Sequence, residues 1–195
     1  MLCNWAHHAG HDWRARLRGW FEASGCDAWV LRSETSDAAA YASFWIRHSV
    51  GPDADRPGGL FDEWTAYYRQ LGIESVSAGL IVMRKRSGGR NWVRIDDEPP
   101  TFSGECGEHI VRGFAAWDFL TGLDDVSGML GARFRLAPDC LATMDLEPGG
   151  DAWTPLGARL RLASGMGYQG GTDMDTFRVL PRFDGRHTLR EVADE

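Results

Sequence analysis

Leu2-Cys3-Asn4-Trp5-Ala6, Trp13-Arg14-Ala15-Arg16-Leu17-Arg18-Gly19-Trp20-Phe21 and Cys26-Asp27-Ala28-Trp29-Val30-Leu31-Arg32 decide how this chain is read. The first and third are short apolar runs of strand length. Between them Trp13, Leu17, Trp20, Phe21 and Ser24 recur at helical spacing, with Arg14, Arg16, Arg18 and Glu22 on the other faces. Gly25 stands where a helix-terminating glycine belongs. A strand, an amphipathic helix and a strand apolar on both faces predict an α/β layered sheet.

Working outward, Ser36 or Asp37 is placed to cap a helix that carries Tyr41, Phe44, Trp45 and His48 on one face. Gly51 to Gly59 reads as a loop rich in Pro, Gly and Asp. Leu60 to Leu71 reads as a helix with Trp64, Tyr67 and Tyr68 inward and Gly72 as its stop. Ser75 to Arg86 is a long strand, Ser87-Gly88-Gly89 a turn, and Asn91 to Ile95 a returning, paired strand. Asp96 to Pro100 breaks the pattern, so a first domain is expected over 1–97 and a small α+β module over 104–195.

In the second module a helix through Ile110 to Leu120 and a short one over Leu123 to Leu130 precede three strands, Ala132–Leu136, Cys140–Leu146 and Ala158–Ala163. In the last of these Leu160 and Leu162 alternate with Arg159 and Arg161. Asp173 to Phe183 reads as a helix, Asp184-Gly185-Arg186 as a turn, and Thr188 as the cap of a final helix. Phe177 to Val192 thus has a helix-turn-helix outline with strands beside it, the outline of a winged-helix-like module. Leu189 to Glu195 lacks a basic face, which argues against sequence-specific DNA reading and for a packing or protein-contact role. The first strand begins at residue 2 and the last helix runs to Glu195 without a stop signal. Both ends are therefore expected to be cut from a larger fold.

Of the 195 residues 43% are hydrophobic and 25% charged, which predicts a packed core rather than disorder. No apolar run reaches the length of a membrane span, and no signal peptide is recognisable. Cys3, Cys26, Cys106 and Cys140 are too scattered for a zinc motif or a disulfide framework, so a cytoplasmic setting is expected. A net charge of −7 argues against broad phosphate-driven nucleic-acid binding. Arg84, Lys85, Arg86, Arg90, Trp92 and Arg94 interleave cations and aromatics. That patch suits RNA, but a solvated hairpin end is the better reading given the charge.

Gly165-Met166-Gly167-Tyr168-Gln169-Gly170 matches GxGxxG literally, yet only a short helix follows and 25 residues after Gly170 leave no room for a βαβ unit, so its glycines read as turn residues. Cys3, His7, His8, His11 and Asp12 are metal-ligand types without a completing partner. Glu34, Asp37 and Glu63 read as helix caps or dipole partners rather than general bases. The carboxyl end of the first strand carries more interest, because ligands of open α/β sheets bind there. The candidate cleft residues are Asn4, Trp5, His7 and His8, with Asn4 to hydrogen-bond and Trp5 to stack on a flat substrate.

Leu2-Cys3-Asn4-Trp5, the Trp13–Phe21 helix, Cys26-Asp27-Ala28-Trp29-Val30-Leu31, Tyr41-Ala42-Ser43-Phe44-Trp45-Ile46-Arg47, Phe61-Asp62-Glu63-Trp64 and Leu71-Gly72-Ile73-Glu74-Ser75-Val76 together resemble the later part of a bacterial class I S-adenosylmethionine-dependent methyltransferase of the HemK/PrmC-like small methyltransferase group. Phe183 to Val192 is similar to a domain appended to such proteins. The resemblance implies an incomplete Rossmann-like sheet, with Leu2–Ala6 as strand 5, Cys26–Arg32 as strand 6 and Val76–Arg86 as the antiparallel strand 7. It implies S-adenosylmethionine as cofactor and a protein or RNA substrate. The family's glycine-rich loop, its acid after strand 2 and its Asn-Pro-Pro-Tyr/Phe motif have no match here, since Pro99-Pro100 follows Glu98 and lies after strand 7. The resemblance therefore implies a C-terminal fragment, inactive alone, whose N-terminal half is a missing partner, and whose strand 5 leaves an apolar edge. The alternative is a non-enzymatic interaction protein that uses the 104–195 module.

Overall fold

A computed structural model of the chain describes residues 1–49, 57–86, 91–97 and 101–194. The fold is mixed α/β, with several sheets, and divides into two compact units, Met1–Pro99 and Pro100–Glu195. No described helix is long and apolar enough to cross a membrane.

In the first unit, β1 (Leu2–His8), β2 (Cys26–Asp37), β3 (Ile73–Lys85) and β4 (Val93–Asp96) form one sheet in the order β1-β3-β2-β4. β3 runs antiparallel to both β1 and β2, so those two are parallel to each other with β3 between them. β4 pairs parallel with β2. The expected return of 91–95 beside the preceding strand is thereby corrected: it crosses β2 instead. Ala28 N–H donates to Trp92 O at 2.9 Å, and the fully buried Asp27 holds that end of the sheet together. Its carboxylate accepts from Arg84 Nη2 at 2.5 Å, Asn91 Nδ2 at 3.3 Å and the Trp92 amide at 3.2 Å. The expected turn at 87–89, Arg90 and most of the 51–59 loop lie outside the described residues.

α1 (Trp13–Phe21) covers one face of this sheet. Asp12 caps it by accepting from the Arg14 amide at 2.9 Å, and Gly25, at φ 66°, lets the chain turn into β2. Leu17 and Phe21 join Trp5, Ala28, Val30 and Ile81 in the core. Each of the two helix side chains contributes about 1.5–3 kcal/mol by leaving water. Trp20, which shares their helical arc in the sequence, is 46% exposed. α2 (Ala38–Ser49) and α3 (Pro57–Gln70) follow, and in α2 a different arc is buried than periodicity predicts. Ala42 and Ile46 are the buried residues of α2, whereas Phe44, Trp45, Trp64 and Tyr67 remain exposed. Small and β-branched side chains let a helix approach the sheet closely. Trp45 then meets Tyr41 tilted, at 6.1 Å between centroids, and Phe44 edge to face, at 5.6 Å.

In the second unit, α4 (Gly107–Thr121) and α5 (Val126–Leu130) lead into β6 (Arg133–Arg135), β7 (Cys140–Gly149) and β8 (Ala152–Leu162). β5 (Thr101–Ser103) pairs with β9 (Gly165–Gly167), and β10 (Gln169–Thr172) with β8, giving a three-stranded sheet in the order β10-β8-β7. The 165–170 glycines are thus corrected from turn residues to parts of two short strands that meet at Tyr168, and only Gly165 there has a positive φ, 64°. α6 (Met174–Val179) gives way at Leu180 to a single 3₁₀ turn containing Pro181. The expected 184–186 turn belongs to β11 (Asp184–Thr188), which pairs with β6. A strand therefore separates the two helices of the helix-turn-helix outline. α7 (Leu189–Ala193) starts with a capping box, in which the Glu191 amide donates to Thr188 Oγ1 at 3.2 Å and the Thr188 amide to Glu191 Oε2 at 2.7 Å.

Candidate functional site at the carboxyl ends of β1 and β2

β1 and β2 end on the same side of the sheet, and β3 starts there. Strand alternation separates the four residues expected in the cleft: Trp5 and His7 point to the α1 face, Asn4 and His8 to the α2/α3 face. On the second face Asn4 Nδ2 donates to Tyr41 Oη at 2.8 Å, and His8 Nδ1 lies 3.0 Å from Leu71 O. Trp5 is only 3% exposed, a core residue, and cannot stack on a substrate. Its Nε1 finds no hydrogen-bond partner among the described residues.

The polar centre is built around His7. Its Nε2 lies 2.7 Å from Ser77 Oγ, and Ser77 Oγ lies 2.7 Å from Thr35 Oγ1. Ser77 is fully buried between its cross-strand partners Trp5 and Thr35, so β1, β3 and β2 each supply one member of the chain. The imidazole packs against Trp13 at 5.0 Å between centroids. Arg14 and Arg32 place their guanidinium carbons 4.6 and 5.1 Å from the Trp13 ring centre, within cation–π range. Asp97 pairs with Arg14 and lies 3.9 Å from Arg32 Nε. Burial pushes the His7 pKa below its ordinary value, and the charges of Arg32, Arg14 and Arg16 push the same way. The result is a neutral imidazole with one nitrogen anchored, beside two arginines. The chemistry available there is hydrogen bonding and positive charge, which suit a polar or anionic group.

Other expected ligands are engaged locally. His11 Nδ1 lies 2.8 Å from Ala9 O, Asp12 caps α1, and among the described residues no three His, Cys, Asp or Glu side chains converge on a metal-sized site. Asp37 accepts from the Ala40 amide at 2.8 Å, a capping contact. Of the basic patch, Arg84 binds Asp27, while Arg94 binds Asp96 at 2.9 Å and lies over Trp29.

A second cluster, in the other unit, has no sequence signature because its members are far apart in the chain. His109, 8% exposed, places Nε2 3.1 Å from Asp139 Oδ2, to which Ser164 Oγ donates at 3.3 Å. Burial opposes ionisation of Asp139, but the bonds from His109 and Ser164 outweigh it and hold the carboxyl below its usual range. Gly165 is obligatory beside it, since a Cβ there would stand 1.8 Å from His109 Nδ1. A groove of about 740 Å³ opens next to the pair, along the N-terminus of α4.

Comparison with protein-family models, with curated proteins and with solved structures returns no match for the chain.

Proposed function

We propose that this chain is the C-terminal portion of a cytoplasmic S-adenosylmethionine-dependent methyltransferase that methylates a nitrogen of a protein or an RNA. One observation supports the reading above others. β3 lies antiparallel between parallel β1 and β2, the sense that the resemblance requires of strand 7 beside strands 5 and 6. β1 is also a terminal strand among the described residues, with Leu2 84% exposed, as expected of a strand that another part of the domain covers.

The residues present do not fit the cofactor. The glycines at 165–170 form strands rather than a strand-to-helix loop, and the carboxyl ends of β1 and β2 hold His7, Ser77 and Thr35 instead. S-adenosylmethionine would supply the methyl group from a site in the other half of the domain. The share of this chain is a wall of the cleft on the α1 face: the anchored imidazole of His7 and the Arg14 and Arg32 guanidiniums position the substrate. The test joins the chain to the polypeptide encoded directly upstream and follows labelled methyl into protein and RNA fractions. Label in either fraction that falls at least tenfold in a His7→Ala variant supports the assignment. An upstream sequence without a glycine-rich loop removes it.

A second reading, an interaction protein acting through the 104–195 module, is favoured by the β7–β8 hairpin. Leu146, Trp153 and Leu156 stand 46%, 66% and 61% exposed on it.

A further inference from the structure

β8 presents two chemistries, Leu160 and Leu162 on one face and Arg159 and Arg161 on the other. β7 matches it face for face: Met144 lies opposite Ala158, and Asp145 approaches Arg159 at 3.7 Å. On the other side of β8, β10 offers glycine instead, Gly170 opposite Leu160 and Gly171 opposite Arg159. Neither glycine is demanded by the fold. Neither has a positive φ, and nothing lies within 4 Å of where either Cβ would stand. Their effect is to leave the edge bare. Gly170 borders a cavity of about 330 Å³ walled by Cys140, Leu160, Leu162 and Tyr168.

Leu162 N–H donates to Tyr168 O at 3.0 Å, while the Tyr168 amide turns back to Met166 O at 2.7 Å; this one bond, next to the Gln169–Arg161 pair, sets the hydrogen-bonding phase of the ladder. By antiparallel alternation, Gly170 also bonds inward to β8, and the amides and carbonyls of Gln169 and Gly171 point to the open edge.

We propose that the β10 edge takes the β7 edge of a second copy of this chain as its next strand. β7 is the opposite terminal strand of the same sheet, and it alternates Met144 and Leu146 with Asp145 and Glu147. Met144 and Leu146 are 40% and 46% exposed. Laid beside β10 with faces matched, they cover Gly170 and its cavity. The carboxylates then fall on the face of Arg161, which is exposed and has no ion pair among the described residues. Neither edge carries a lysine, and the one proline of β7, Pro148, lies beyond the Met144–Glu147 stretch. Because the two surfaces differ, the contact is heterologous and open-ended rather than a closed dimer. The proposal is independent of the methyltransferase reading.

Sedimentation velocity on the full chain, from about 5 to about 500 μM, tests it over the range of a modest strand-addition affinity. The expected result is a mass that rises with concentration beyond the dimer. Gly170→Val fills the acceptor side with a residue that strands favour, and Met144→Lys/Leu146→Lys blunts the donor side. Each variant, shown folded by circular dichroism, should weaken association at least tenfold. Their mixture should give a single one-to-one dimer, because each keeps one intact edge. A wild-type chain that stays monomeric, association untouched by both variants, or a mixture of folded variants that stays monomeric overturns the proposal. So does a non-associating chain that binds a peptide of the Thr143–Glu147 sequence, since the edge would then belong to a foreign strand.

Discussion

His7 and Ser77, 70 residues apart in the chain, meet at 2.7 Å between Nε2 and Oγ and tie the edge strand of the sheet to the strand beside it. Burial, with Arg32, Arg14 and Arg16 nearby, lowers the His7 pKa below its ordinary value of 6.5. The folded state then binds fewer protons than the unfolded state below about pH 6.5, so stability contributed by His7 is present above that pH and lost as pH falls through it. Imidazole NMR should give His7 a pKa below 6.5. A value at or above 6.5 would contradict the site as described. His7→Gln should flatten the loss of stability between about pH 7.5 and 5.5.

Gly79 has no room for a side chain. A Cβ there would sit 2.2 Å from Leu31 O and 2.8 Å from the Trp5 ring. Gly79→Ala should destabilise the first unit by about 1–3 kcal/mol or more in urea unfolding, because strand backbone must shift. Gly19, within α1 and with nothing near its Cβ position, should behave oppositely. Gly19→Ala should stabilise by roughly 0.5–1 kcal/mol.

Asp27 collects donors from β3 and from the start of β4. Asp27→Ala leaves the Trp92 amide and the Asn91 amide group without their acceptor, at a cost of about 1–3 kcal/mol. Arg84, with 35% of its side chain exposed, recovers by hydration, so the ion pair itself adds little. Hydrogen exchange at 93–96 should accelerate more than at β1, since the start of β4 is tied to β2 and β3 through this carboxylate and β1 is not.

Gly165 and Gly171 make a matched pair for the second unit. Gly165→Ala forces a positive φ on alanine and drives Cβ into His109, and should lower the melting temperature of that unit. Gly171→Ala meets nothing and should leave the temperature unchanged or raise it. Equal effects at the two positions would refute the packing of His109 against Gly165.

β1, α1, β2 and β3 are legible because their apolar runs are long and their spacing is unambiguous. The inward arcs of α2 and α3 are not: Phe44, Trp45, Trp64 and Tyr67 are as hydrophobic as core residues, and only the approach of Ala42 and Ile46 to the sheet decides which arc is buried. The partner of β4 is a non-local choice that no turn residue specifies. At the site, the period-2 rule already separates Trp5 and His7 from Asn4 and His8. Ser77 and Thr35, by contrast, come from other strands and look like ordinary strand residues in isolation. The exposure of Leu2 on β1, the terminal strand of its sheet among the described residues, follows from topology, which the local pattern of an apolar strand does not contain.

Whether this chain is part of a divided cofactor-binding domain is tested by calorimetric titration of S-adenosylmethionine into two proteins, this chain and this chain joined to the polypeptide encoded directly upstream. The joined protein should give binding heat and the chain alone none. Micromolar binding by the chain alone, or no binding by a folded joined protein, would contradict that division.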